Sequence, residues 1–185
     1  MRKYLAVVFA VAMLAGCGQT HNIDVETPSN ASGLVESQIK IGDEVLEVPF
    51  AFEEMERVGY KLTGADFATI NHNQSCVAYF KNEAGQSIVT GLGTLEDNVP
   101  IEESMVIDIL ADDMNTESSN LKVYGDIGLG STKEDVQAVY GEPSYSLDDQ
   151  EMYTLGITEQ NGIIIALQDG KVCRVEVMML DDYIE

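Results

Sequence analysis

The side chains of this 185-residue sequence that could do chemistry are two histidines, three cysteines and 32 acidic residues, and their spacing restricts what that chemistry could be. His21 sits in a polar stretch and His72 in a turn-rich one, so sequence neighbours assemble no His/Cys metal set, and no metal role is expected for His72. Carboxylate pairs occur at Asp112-Asp113, Asp148-Asp149 and Asp181-Asp182, and acids are dense from Glu96 to Asp113, which raises calcium binding. None follows the spaced acidic loop of a calcium hand. Adjacent acids point apart in an extended chain, which favours a solvated acidic surface. Acid and base carboxylates of a glycan hydrolase would have to face each other across a cleft, and spacing alone does not supply one. No Gly-x-Ser-x-Gly elbow is present. Gly125-Asp126-Ile127-Gly128-Leu129-Gly130 lacks the lysine of a phosphate loop and reads as a tight entry to a helix. The sequence therefore predicts no catalytic residue, no metal site and no cofactor. With 10 Lys+Arg and a net charge of -22, it also excludes nucleic acid, which requires a basic footprint.

The amino end carries a different kind of chemistry. Arg2 and Lys3 precede an apolar stretch, Tyr4 to Leu14, that is too short to span a bilayer and reads as an export signal. Leu14-Ala15-Gly16-Cys17 then resembles the bacterial lipobox, which implies cleavage after residue 16 and a diacylglyceryl group on Cys17. Two acyl chains anchor stably where one does not. Residues 17–37, with His21, Asn22, Pro28, Ser29, Asn30 and Ser32, are too polar to bury a core and form a flexible tether with a reach on the order of 25 Å. Losing residues 1–16 removes Arg2 and Lys3 and no acid, so the mature chain is more acidic still and is repelled by anionic lipid. In an exported protein Cys76 and Cys173 could pair. Each lies on an apolar alternation, which favours two buried thiols.

From Gln38 onward, short segments with turn signals occur twice in similar order, suggesting a first unit over 38–115 and a second over 116–185. In the second, Ser131 as N-cap with Glu134 three residues on predicts a helix carrying Val136, Val139 and Tyr140 and ending at Gly141-Glu142-Pro143. Strands follow at Met152–Thr158, Ile163–Leu167 and Lys171–Leu180. The last has Val175 and Val177 on an apolar face and Arg174 and Glu176 on one expected to be partly wet. The first unit shows a hairpin at Gln38–Ile41 and Val45–Val48, then Pro49 near a helix with Phe52, Met55 and Val58. Strands follow at Cys76–Phe80, Ser87–Leu92 and Met105–Leu110, with extra loop at Thr63–Gln74 and Thr94–Ser104. The expected fold is α+β: two tandem units of a helix plus three antiparallel strands, as one continuous sheet or as two lobes. Tyr60, Tyr79, Tyr124, Tyr140, Tyr145 and Tyr153 could line a binding surface, though the core is favoured for them.

Gly130-Ser131-Thr132-Lys133-Glu134-Asp135-Val136, with Tyr140-Gly141-Glu142-Pro143, resembles the helix-opening signature of the SmpA/OmlA (BamE-like) lipoproteins and of tandem domains similar to the β-lactamase inhibitory protein. That resemblance implies short helices on antiparallel strands and a role in binding or scaffolding rather than catalysis. The chain departs from it in being longer, more acidic and doubled, and the inhibitor's contact residues are not identifiable in it. The expectation is a non-enzymatic lipoprotein, held to the extracytoplasmic face of the cell membrane by the lipid on Cys17. There it meets an envelope or secreted protein partner. An outer-membrane location stays open, as does a calcium- or solute-binding role beside a transporter or wall enzyme.

Overall fold

A computed structural model describes residues 37–114, 116, 118–147, 150–155 and 160–184. The export segment, Cys17, the tether to residue 36 and Asp148-Asp149 lie outside the described residues. Strands β1 (Gln38–Ile41) and β2 (Glu44–Glu47) form a hairpin in which Gly42, at φ 62°, takes the left-handed turn position. After the cis Val48–Pro49 bond come β3 (Phe50–Ala51) and the single-turn helix α1 (Glu53–Arg57). The chain continues through β4 (Tyr60–Ala65), β5 (Thr69–Ile70), β6 (Cys76–Asn82), β7 (Ser87–Gly93), β8 (Val99–Pro100) and β9 (Met105–Asp112). Then follow β10 (Leu121–Val123), β11 (Ile127–Gly128), helix α2 (Lys133–Tyr140), β12 (Tyr145–Leu147), β13 (Gln150–Leu155), β14 (Asn161–Gln168) and β15 (Lys171–Met179).

The α+β expectation is corrected by these elements. Among the described residues the protein is mostly β, with 53% strand and 14% helix, and α2 alone of the helices there reaches seven residues. The reason is local. Phe50-Ala51 pairs with β9, the Phe52 N–H donates to the Ser104 carbonyl at 3.0 Å, and Gly59 at φ 86° turns the chain into β4, so one helical turn is all that fits between them. Nor are there three strands to a unit. The strands run β12-β13-β14-β15-β9-β7-β6-β4 in a nine-stranded antiparallel sheet, with β3 paired to β9, and the sheet is continuous across the 115/116 boundary through β15 and β9. A second sheet, β11-β10-β1-β2, crosses the same boundary through β1 and β10. The two stretches expected as extra loop meet each other as the β5–β8 pair.

One core fills the space between the first face of the long sheet and the layer made by the four-stranded sheet and the helices. Ile39, Ile41 and Leu46 from the hairpin, Met55 from α1, and Val136 and Tyr140 from α2 join Phe80, Leu92, Val106, Ile109, Ile165, Val175 and Val177 from the long sheet. Each such side chain contributes roughly 1.5–3 kcal/mol by leaving water. Helix α2 is capped by Thr132 rather than Ser131. The Thr132 side chain accepts from the Asp135 N–H at 3.2 Å, and Asp135 accepts in return from the Thr132 N–H at 3.0 Å, a capping box one residue later than expected. The Thr132 hydroxyl, 2.7 Å from Asp135 Oδ2, and then the Thr132 N–H hold the Asp135 carboxyl below its usual range. Ser131 instead accepts from the Gly128 N–H at 3.1 Å, tying β11 to the helix entry.

Candidate functional site

A β-bulge decides what the second face of the long sheet carries. The register of β9 against β7 shifts between Gly91 and Leu92, so Leu92 faces Val106 while Gly91 faces Asp108, leaving Ile107 as the extra residue. Val106 and Ile109 therefore both reach the core, and Asp108 and Leu110 turn to the other side. From β15, Arg174, Glu176 and Met178 stand on that same side, opposite Asp112, Leu110 and Asp108 respectively. The side continues through Ile164 and Thr154 to Tyr145 and Leu147 at one edge, and through Val89 and Tyr79 to Lys81 and Lys61 at the other.

This second face is apolar in the middle and aromatic at its margins. Tyr79, Tyr145 and Leu147 are 45%, 50% and 54% exposed, Leu110, Ile164 and Met178 are half-buried, and Val89 is buried. The described helices and the four-stranded sheet send their buried side chains to the first face, so they do not account for this apolar surface. An exposed stretch of this kind, with tyrosines at its rim, has the composition of an interaction surface.

Charge is set among these apolar side chains, beside Leu110 and Met178. Glu176 is only 6% exposed and accepts from the Arg174 guanidinium, at 3.1 Å from Nε and 2.7 Å from Nη2. Asp108 is diagonal to Glu176 across the β9–β15 pair, and its Oδ1 is closed off from solvent with no hydrogen-bond partner. Burial, then the Glu176 charge, push the Asp108 carboxyl up to about 8, against a smaller opposing pull from Arg174. The group thus holds two buried carboxylates against one guanidinium. Two further unpartnered buried atoms, Glu151 Oε2 and the Tyr153 hydroxyl, lie on the first face, where Lys133 of α2 pairs with Glu151. Burial, with the charges of Glu151 and Glu142, raises the Tyr153 phenol to about 12. Being covered by α2, that place is part of the body rather than of its surface.

The tyrosines divide between the two readings. Tyr60, Tyr140 and Tyr153 are core, the first donating to Asn120 Oδ1 at 2.5 Å and the second to the Tyr124 carbonyl at 3.0 Å. Tyr79 and Tyr145 stand on the second face, and Tyr124 is exposed elsewhere. His72 is exposed in the β5–β8 loops, where its backbone N–H donates to Asp97 at 3.2 Å. Among the described residues no three His, Cys, Asp or Glu side chains converge to hold a metal ion, and Asp112-Asp113 and Asp181-Asp182 stand at opposite ends of the β9–β15 pair. An open cleft of about 730 Å³ near α1 has Glu56 and Glu83 in its lining. Both are exposed. Sequence reasoning missed Asp108, whose position depends on the bulge at Ile107, and the glycine beside that bulge, Gly91, is on the partner strand rather than on β9.

Cys76 is buried on β6 and Cys173 half-buried at a bulge in β15, and both are free thiols. In the strand order β15-β9-β7-β6 three spacings separate them, about 14 Å, where a disulfide needs Cα atoms within about 7 Å. Burial, then the charge of Asp113, raises the Cys173 thiol. Unfolded in denaturant without reductant, the protein is expected to release both thiols to a chromogenic reagent, with no gain on prior reduction.

Comparison with family models, with curated proteins and with solved structures finds no match for this chain.

Proposed function

We propose that this chain is a lipid-anchored, extracytoplasmic, non-catalytic protein-interaction module that binds a basic or neutral protein through the second face of its long sheet. The observation that carries this reading is the face itself: a half-buried apolar centre with Tyr79, Tyr145 and Leu147 exposed around it, outside the core to which the helices and the small sheet contribute. Tyrosine gives large, rigid contact area at low entropic cost, which suits it to the rim of an interface. The net charge of -22 repels acidic proteins and steers basic ones, raising association rates at low salt. Anchoring through Cys17 would hold the module at a membrane surface, within reach of envelope proteins.

A photo-crosslinking residue placed at Tyr79 or Tyr145 in cells tests the reading. The expected result is one or a few discrete protein adducts, lost when Leu147→Lys is added, with none from the same probe at the exposed Glu53 on α1. Equal yields at all three positions, or none, would remove the second face as an interaction surface.

A further inference from the structure

We propose that the second face receives a lysine side chain of its protein partner at Asp108, with the ammonium group seated between Asp108 and Glu176. This rests on the interaction surface proposed above and names what that surface recognises. Arg174 is already committed through Nε and Nη2 to Glu176, whereas Asp108 forms no ion pair among the described residues and its Oδ1 has no partner. The Ile109 N–H serves the carboxyl group but leaves Oδ1 without a donor, which has to come from a proton or from outside. Gly91 makes room for the carboxylate itself: a Cβ there would lie 3.0 Å from the Asp108 Cβ and 3.4 Å from Oδ2, so a side chain opposite would displace it.

Val89, Leu110 and Met178 surround the position, a rim that packs the methylenes of a lysine stem and strengthens the charge contact by excluding water. The arrangement favours an ammonium over a guanidinium. Three donors around one point can serve two carboxylates that approach from two strands, whereas the arginine fork matches both oxygens of one. The incoming cation takes the place of a proton on Asp108. The charged groups facing Asp108 are Glu176 and Arg174 from β15 and Asp112 from β9 itself, while β7 presents only Val89 and Gly91. Of these it is Asp108 that has to lose a proton as the lysine arrives, so affinity rises with pH.

Hexalysine, titrated into the isotopically labelled full chain in about 0.15 M salt and followed by NMR, tests this, with free methylammonium and hexaglutamate as separate arms. Expected are saturable shifts at Gly91, Asp108 and Glu176, and an affinity that rises about tenfold per pH unit from 6 toward 8. Asp108→Asn should weaken binding at least tenfold and flatten that slope. Should Asp108→Asn fail to fold, the Asp108 carboxyl carbon of the unmodified protein serves instead, its titration midpoint expected to fall by a pH unit or more with the peptide. Shifts confined to other surfaces, a pH-independent affinity, or an unmoved midpoint would overturn the proposal. So would methylammonium binding as tightly as the peptide, since the ligand would then be a free amine. A partner captured at Tyr79 or Tyr145 and bound equally well by Asp108→Asn would leave the interaction surface standing and remove the lysine seat alone.

Discussion

Gly125→Ala should lower the stability of the folded body by about 2–4 kcal/mol, read as a fall in the urea midpoint with an unchanged slope. Two costs combine in it. Gly125 sits at φ 77°, where a side chain is strained by roughly 1–2 kcal/mol. A Cβ at that position would also come within 2.5 Å of Val139 Cγ2 and 2.9 Å of Cγ1. Valine has no flexible end to withdraw, because both methyl groups branch from the Cβ and its helical rotamer is nearly fixed. The clash therefore pushes α2 away from the short turn that precedes β11, and α2 carries Val136 and Tyr140 in the core. Val139→Ala in the same background should recover the steric part and leave the backbone part. The double-mutant cycle is thus expected to show a favourable coupling of about 1–2 kcal/mol. If the two substitutions add without coupling, the turn before β11 does not pack against Val139.

How far the sequence discloses such positions depends on whether the signal is local. Gly125 stands in a run of three glycines before a capped helix, a pattern that marks a tight turn, but the turn lies between β10 and β11 and meets the last turn of α2 at Val139 rather than the helix entry. The helix stop at Gly141 and the long strands β6, β7, β9, β14 and β15 are legible for the same reason, each bounded by turn residues. Strands β4, β10, β11 and β12 are not. Leu121-Lys122-Val123 is three residues long and Tyr60–Ala65 is broken by Gly64, so neither has enough alternation to stand out, and what makes them strands is a partner far along the chain. The short first helix fails in the opposite direction: Phe52, Met55 and Val58 have helical spacing, but the strand pairings of Phe50 and Tyr60 on either side allow one turn.

The second face is half legible. The alternation in Lys171–Leu180 separates Val175 and Val177 from Arg174 and Glu176, and that separation is what the sheet shows, although Glu176 is buried rather than wet. Asp108 gives no such warning. In sequence it lies between Ile107 and Ile109, and period-two counting from Val106 puts it on the core side. Only the bulge turns it outward, to a place where its neighbours are Gly91, Met178 and a second carboxylate.

That placement has a consequence for the whole molecule, which should lose stability as pH rises from about 4 to about 8. Asp108→Asn should abolish most of this loss. An unfolded aspartate gives up its proton near pH 4. The folded one keeps it up to about 8, because burial and then the Glu176 charge oppose ionisation. Between those limits the folded state binds the extra proton, so each step up in pH favours unfolding. Below the range both states are protonated, above it both are ionised, and the penalty stays constant. The carboxamide of the variant is neutral throughout and carries none of it. At pH 8 the variant is therefore expected to be the more stable by on the order of 3 kcal/mol, and at pH 4 the two proteins should differ by less than about 1 kcal/mol. Urea unfolding at one-unit pH intervals measures both curves. Parallel curves would mean that Asp108 ionises near its unfolded value, and that Arg174 neutralises both carboxylates. A widening gap would mean that the fold holds Asp108 protonated at neutral pH because burial and the Glu176 charge oppose its ionisation, a penalty that a bound cation would offset.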